Sequence, residues 1–412
     1  MKRVFLSFFK LTLLGLIVGL FIAGYQFVGH EVISLSKFLL NNENLIWIST
    51  IFISVILLIG LMLVNKKISG YYGSGIPQIE AYHQGWYNFN PYKMLILMTV
   101  NSIFAFFGGF LLGSEGPSVS IGASIGMIGN DIFKDDSKED VAIAASTGFA
   151  CAFSSPLAGL CHLIEENKKI LSFKLILKGI WVISVGFFIG YLVYPHSLLP
   201  YFELTILPFK YYIILLIMVI ICVIISKVFL KLIMKVKDFT KSKQFMFYFT
   251  PMLLILFMLL RRFFPVLVGS GLDSIDINIL DYSLLIIFSI LLFRLIFTSL
   301  SMSSNMSGGA VLPTLAIGSL TAILFIKAVS HFIPEITNYV GLFLIVGMLV
   351  TFAVVTNAPI TAFVLGLKCA SFKVIALPLF ISLAISTLLF YVFKWENLYH
   401  QLEKRIPGYI HD

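Results

Sequence analysis

Long apolar segments recur along the chain and alternate with short polar connections. Several approach the ~20 residues that an α-helix needs to cross a bilayer. Others are shorter and interrupted by Gly or Pro, as is typical of half-helices that meet inside a protein-lined cavity. The pattern predicts an all-α, polytopic integral membrane protein with broken helices. The ten segments are 11–28, 45–64, 94–112, 170–193, 211–229, 247–260, 283–300, 322–333, 340–355 and 376–392.

The composition supports this class, because 59% of the 412 residues are hydrophobic and only 12% are charged. Soluble domains carry about 25% charged residues. We expect one transmembrane transport domain over 1–412, with no soluble regulatory domain. The first apolar segment is too long for a signal peptide and is interpreted as a retained span. No C-x-x-C or Cys/His ligand spacing occurs, so we expect no metal and no cofactor.

The net charge of +9 indicates orientation in a membrane. Under the positive-inside rule, loops rich in Lys and Arg are cytoplasmic. We therefore predict a multi-pass cell-membrane protein with cytoplasmic N- and C-termini. The basic residues behind this prediction lie at the segment ends: Lys2, Arg3, Lys10, Lys66, Lys67, Lys168, Lys169, Lys235, Lys237, Lys241 and Lys243.

Glu115 is the most informative single residue, because it follows a long apolar segment within the sequence Gly113–Pro117. An ionised carboxylate is expensive at membrane depth, and such residues usually mark an ion or proton path. The flanking glycines expose backbone N–H groups, and Pro117 suits the first turn of a helix. Since a helix N-terminus attracts anions, one pocket can hold either this carboxylate or a free anion. That competition would form a gate.

Two short motifs each occur twice along the chain. Residues 117–122 match residues 313–318 as P-[S/T]-x-x-I-G, and each copy follows a glycine-rich stretch. Ser155–Ala158 is similarly echoed by Ala358–Thr361. Chance among small residues is the alternative. We expect two repeated halves, 1–195 and 205–412, with the transport site at their interface. An inverted arrangement is favoured, although the echo alone does not decide it.

These residues give the chain a resemblance to the CLC chloride channel and transporter family over nearly its whole length. Residues 73–77 match GSGIP, residues 113–117 match G[K/R]EGP, and residues 308–313 match GGxFxP more loosely. Two residues depart from the pattern. Ser114 replaces a basic residue, and Val311 replaces a phenylalanine whose backbone N–H is the group that matters.

The resemblance implies how an anion would be bound. Chloride would be held by Ser74, by backbone N–H groups at Gly116, Ala310 and Val311, and by the hydroxyl of Tyr399. Serine at position 74 implies chloride, since nitrate-preferring members carry proline there. Tyr399 is favoured over two other tyrosines near the C-terminus, Tyr391 and Tyr409. Glu115 would be the gating glutamate.

Glu165 and Glu166 bear on whether the protein would be an exchanger or a channel. They end an apolar stretch just before Lys168 and Lys169, and a solvated helix end paired with these lysines is one interpretation. The resemblance instead implies that Glu166 is the internal proton-transfer glutamate of exchanging members, which channel members usually lack. Burial lets a glutamate accept a proton, because desolvation disfavours its charged form.

We therefore expect a chloride/proton antiporter rather than an enzyme, and the resemblance implies a homodimer with a pathway in each subunit. Chloride, protons and membrane lipid would be its only partners, with no nucleic acid. A passive chloride channel of the same fold is one alternative. The other is an intramembrane hydrolase that uses a serine with His162 or His83, because residues 122–126 fit G-x-S-x-G. That elbow requires a strand-to-helix turn, and here the motif lies in a helical stretch.

Overall fold

The structure is a computed structural model that describes residues 2–68, 73–167, 171–240 and 243–406. It is all-helical apart from two isolated β-bridges within these ranges. Five 3₁₀ helices occur among the connections: Phe209–Tyr211, Pro265–Leu267, Leu272–Ser274, Ile277–Asp281 and Pro334–Tyr339. The sixteen α-helices of these ranges are α1 Lys2–Leu40, α2 Ile46–Ile68, α3 Ile76–Gln84, α4 Pro91–Gly108, α5 Glu115–Phe133, α6 Lys138–Ala152, α7 Pro156–Glu166, α8 Phe173–Val193, α9 Tyr212–Phe239, α10 Lys243–Phe263, α11 Leu284–Ser303, α12 Val311–Val329, α13 Val340–Thr356, α14 Pro359–Cys369, α15 Phe372–Val392 and α16 Leu398–Glu403.

The predicted membrane class is confirmed, since ten helical segments of the described ranges are long and apolar enough to cross a bilayer. Their bounds differ from those read from hydropathy alone. The clearest case is α12, which begins at Val311 rather than near residue 322. Its early turns contain Thr314, Ala316, Gly318 and Ser319, which are buried although a hydropathy window scores them weakly.

Local sequence explains where several helices begin. Asn90 caps α4 by accepting a hydrogen bond from the Lys93 amide at 3.0 Å, and Pro91 occupies the first turn. Ser155 caps α7 in the same way, at 3.3 Å from the Ala158 amide. Side-chain caps satisfy N–H groups that the first turn leaves free, and proline lacks one of those groups. The short helices α3, α7, α14 and α16 are too short to span a bilayer.

The interior consists of two tightly packed helix pairs, α5 with α6 and α12 with α13. All 17 residues of α13 are buried. Small residues allow the close approach, as is common between membrane helices. A Cβ at Gly122 would overlap the Ala144 carbonyl oxygen of α6, and one at Gly318 would overlap the Gly347 carbonyl oxygen of α13. The motif-bearing helices α5 and α12 are therefore held at the centre.

The order of helices is consistent with two repeated halves. The 11-residue helices α7 and α14 each begin with proline and are each followed by a 21-residue helix, α8 and α15 respectively. Each short helix also follows one member of a central pair, α6 or α13. The inverted arrangement of the halves stays a prediction.

An ion-pair cluster ties α1 to the connection between α5 and α6. The Lys10 ammonium donates to Asn130, Asp135 and Asp140 at 2.9, 2.7 and 2.6 Å. The hydrogen bond from Lys10 lowers the pKa of the Asp135 carboxyl, which lies in that connection. Lys178 on α8 adds a bond to Glu139 at 2.8 Å. The cluster holds four helices together at one end of the bundle.

Candidate anion and proton site

The three glycine motifs meet at the centre of the bundle. The amide of Gly73 donates to the Met306 carbonyl at 3.2 Å, and the Gly308 amide returns a bond to the Gly73 carbonyl at 3.0 Å. Gly113 and Gly309 exchange two further backbone bonds, at 2.9 and 2.7 Å. Segments 196 to 235 residues apart in sequence are thus joined backbone to backbone.

These contacts bring together the N-termini of α3, α5 and α12. Gly75 immediately precedes α3 with a positive φ of 74°, and a Cβ there would overlap the Ser120 side chain of α5. A Cβ at Gly116 would lie 2.9 Å both from Cα of Gly309 and from Cβ of Ser74. Helix N-termini carry partial positive charge, so this junction favours an anion.

The carboxylate of Glu115 occupies the junction. The residue is fully buried, and its Oε1 accepts a hydrogen bond from the Leu312 amide of α12 at 3.1 Å. The other carboxylate oxygen, Oε2, has no hydrogen-bond partner within the described ranges, and the nearby amides of Val311 and of Glu115 itself favour the negative charge. A Cβ at either Gly113 or Gly309 would overlap the carboxylate oxygens. The absence of a side chain at Gly113 and at Gly309 therefore leaves the space that the Glu115 carboxylate occupies.

Two hydroxyl groups are buried near this site. Ser74 is 4% exposed and Tyr399 is 3% exposed, and neither hydroxyl has a hydrogen-bond partner within the described ranges. Tyr399 lies within electrostatic reach of both Glu115 and Glu166. Of the competing tyrosines, Tyr391 is 57% exposed on α15, and Tyr409 is outside the described residues.

The two adjacent glutamates at the end of α7 have different surroundings. Glu165 is buried and caps α14, because its carboxylate accepts from the Ile360 amide at 2.7 Å and from the Thr361 amide and hydroxyl at 2.9 and 2.6 Å. Glu166 is partly buried, and its carboxyl hydrogen-bonds to that of Glu80 on α3. Lys168 and Lys169, the expected partners of a solvated helix end, are outside the described residues.

Sequence reasoning missed three groups of this region: the Leu312 amide, Glu80 and Glu403. Glu403 is fully buried on α16, one turn after Tyr399, and it interacts electrostatically with Glu80. Both glutamates could have been noticed in the sequence. Glu80 comes three positions after the motif of residues 73–77, and Glu403 comes four positions after Tyr399. The rule that singled out Glu115 at membrane depth applies to them as well.

Of the residues considered for a hydrolase, His162 and the G-x-S-x-G residues are engaged in helix packing. His162 is buried, stacks on Phe149 with ring centroids 4.5 Å apart, and contacts the Ser146 hydroxyl through Nδ1 at 3.1 Å. The G-x-S-x-G residues 122–126 lie inside α5, where Ser124 bonds to the Ser120 carbonyl at 2.8 Å. This motif forms no strand-to-helix elbow.

Comparison with known sequences gives a consistent result. The family model described as voltage gated chloride channel matches residues 58–390. An H(+)/Cl(-) exchange transporter of Vibrio campbellii is 28% identical, and the alignment covers 96% of this chain and 87% of that protein. A transporter of the same description from Salmonella typhimurium is 27% identical, with 96% and 86% covered.

Solved structures share the fold. A slow cyanobacterial Cl-/H+ antiporter superposes with a TM-score of 0.86 at 22% identity, and 96% of each chain is covered. A CLC-type fluoride/proton antiporter superposes with a TM-score of 0.74 at 18% identity, covering 93% of this chain and 96% of the other. The chain is thus similar to anion/proton antiporters in both sequence and fold.

Proposed function

The chain belongs to the voltage-gated chloride channel family, and we propose that it is a secondary active transporter that exchanges chloride for protons. The observation that carries the proposal is the buried Tyr399 hydroxyl that interacts electrostatically with two acids, Glu115 and Glu166. Glu115 lies in the anion-favouring junction, and Glu166 lies at the end of α7. Tyr399 is in electrostatic reach of both. An acid on each side of one anion site is what exchange requires.

Glu115 acts as the gate in this mechanism. The deprotonated carboxylate occupies the junction and accepts a hydrogen bond from the Leu312 amide, so chloride is excluded. When the carboxyl gains a proton it loses most of its attraction for the helix N-termini. The side chain then leaves, and chloride binds to the amides of Gly116, Ala310 and Val311. The hydroxyls of Ser74 and Tyr399 complete the ligands.

Glu166 relays the proton between Glu115 and the cytoplasm. Its hydrogen bond with Glu80 supports this role, because two carboxyl groups that share a hydrogen bond hold a proton between them. The protein is proposed to lie in the cell membrane with both termini cytoplasmic. It is further proposed to form a homodimer with a separate pathway in each subunit.

The test is a flux measurement on the purified protein in sealed vesicles. A chloride gradient imposed across the membrane should drive protons uphill, which simultaneous chloride and pH electrodes would record. Chloride movement without proton movement would reject exchange and leave a passive channel of the same fold. Vesicles without protein provide the leak control.

A further inference from the structure

Glu403 is a buried acid that the exchange mechanism described so far does not use. It ends α16, its side chain is 1% exposed, and its Oε1 has no hydrogen-bond partner within the described ranges. A carboxylate is costly to bury, and an acid buried in a membrane protein is a candidate for proton transfer. Lys404, the next residue, pairs instead with Glu396 at 2.5 Å.

The other carboxylate oxygen of Glu403 contacts a histidine that is partly exposed to solvent. Oε2 lies 3.3 Å from Nδ1 of His400, and the imidazole is 43% exposed. Histidine is the side chain whose unperturbed pKa puts its charge change near neutral pH. A half-exposed histidine in contact with a buried carboxylate is therefore able to collect a proton from water and pass it inward.

Glu403 also interacts with the acids that are proposed to relay the proton. Glu403 interacts electrostatically with Glu80, and Glu80 is hydrogen-bonded to Glu166. The helices α16 and α3 are packed against each other. Glu403 also lies four residues after Tyr399, so the two side chains lie on the same face of α16. The buried acid is thus placed between a solvent-facing histidine and the proton-sharing pair.

We propose that His400 and Glu403 form the entry branch of the proton path and deliver protons to the Glu80–Glu166 pair. This assignment rests on the proposed chloride/proton exchange. A proton bound at Nδ1 of His400 passes to Oε2 of Glu403, and the neutral Glu403 then supplies Glu80. After each transfer the donor regains its charge state, so no other reactant is consumed.

Two ion pairs lie at the end of α16. Lys404 pairs with Glu396, and Arg405 pairs with Asp238 of α9.

The helices packed on α16 contribute few further titratable groups. Helix α13 carries no titratable side chain, and α3 carries Glu80, Tyr82 and His83. Glu80 is the acid in electrostatic contact with Glu403, and Glu80 in turn interacts with Glu166. Replacing Glu403 by an amide removes one negative charge next to Glu80.

Glu403→Gln is the primary test, with chloride and proton fluxes recorded together in vesicles. Proton flux should fall at least about a hundredfold, the lower end of what a positioned proton-transfer group contributes, while chloride still passes. The remaining proton flux should also reach half its maximum at a lower pH, because loss of one neighbouring charge favours ionisation of the acids that remain. That shift reports the lost charge, whereas the loss of proton flux reports the lost proton carrier and would not occur if Glu403 had only a packing role.

Glu396→Gln is the matched control, since Glu396 is near α16 but its side chain is 44% exposed and paired with Lys404. Proton flux in Glu403→Gln equal to that of this control would overturn the assignment. Should Glu403→Gln misfold, His400→Asn at its half-exposed position decides, and unchanged proton flux in it would overturn the proposal too. Absence of proton flux in the unaltered protein would instead reject both the proposed exchange function and the entry branch.

Discussion

Glu165 and Glu166 offer a matched pair of substitutions that separates holding the fold from moving the proton. They are adjacent in sequence at the end of α7, and each can be changed to glutamine. The change removes one negative charge and one exchangeable proton in both cases. We expect Glu165→Gln to lower stability with coupling retained, and Glu166→Gln to abolish coupling with stability retained.

The stability cost of Glu165→Gln follows from its three bonds to the start of α14, at 2.7, 2.9 and 2.6 Å. A hydrogen bond to a charged group contributes about 1.5–3 kcal/mol. Glutamine keeps one acceptor oxygen but turns an N–H group toward donors, so at least one bond is lost and the others weaken. We expect a destabilisation of about 2–4 kcal/mol, which includes the weaker interaction with the helix dipole.

Glu166→Gln should cost far less. Glu166 and Glu80 are hydrogen-bonded, so one of the two carboxyl groups already acts as the donor. An amide at position 166 can take that donor role and keep the bond. The change in free energy of unfolding should stay within about 1 kcal/mol. The amide cannot carry a proton, however, so chloride should pass without proton movement.

Both variants would be compared in two measurements. Heating in detergent followed by size-exclusion chromatography gives the midpoint of unfolding, and vesicle flux gives the ratio of protons to chloride. Uncoupled chloride flux in Glu165→Gln, together with intact coupling in Glu166→Gln, would show that the relay is Glu165 and that the assignment is wrong. Intact coupling in both would place the relay elsewhere.

Two further predictions concern the anion junction. Glu115→Gln should let chloride pass independently of pH and without protons, because an amide does not compete for the junction as a carboxylate does; a folded variant whose chloride flux still rises as pH falls, with proton exchange retained, would remove Glu115 from the gate. Gly309→Ala should reduce chloride flux and cost about 1–3 kcal/mol of overpacking, since its Cβ would overlap Glu115 and lie 2.6 Å from the Gly116 amide nitrogen. Gly60→Ala, which meets nothing within 4 Å, is the control and should match the unaltered protein.

The membrane class was predictable from the long apolar segments, because spanning helices must be long and apolar wherever they contact lipid. The bounds of the central helices were less predictable. Helix α12 is surrounded by protein, so its early turns are selected for close packing through Gly318 and Ser319 rather than for hydropathy. Peripheral helices such as α2, which is mostly lipid-accessible, match their predicted segment more closely.

Glu115 and its flanking glycines could also be singled out from sequence, since each motif is local. The partners of those motifs were not. Nothing in the sequence indicates that the Leu312 amide bonds to Glu115, or that Glu165 caps α14, because both contacts join residues about 195 positions apart. The two adjacent acids were therefore separated in sequence only by the family resemblance, and the fold shows that they have different partners.

Coupling can be derived from the fact that one junction serves two anions. The Leu312 amide at the start of α12 bonds to the Glu115 carboxylate, and in the proposed mechanism a chloride ion would use donors of the same helix start. The two could not occupy the junction together without uncompensated repulsion between buried charges. Chloride would therefore enter only when Glu115 carries a proton, and the proton would leave only when the carboxylate can return to the junction. Tyr399 interacts electrostatically with both Glu115 and Glu166, so the proposed proton and chloride positions would be neighbours. Exchange in opposite directions then requires no moving domain, only that the proton reach Glu115 from the side of Glu166 while chloride approaches from either side.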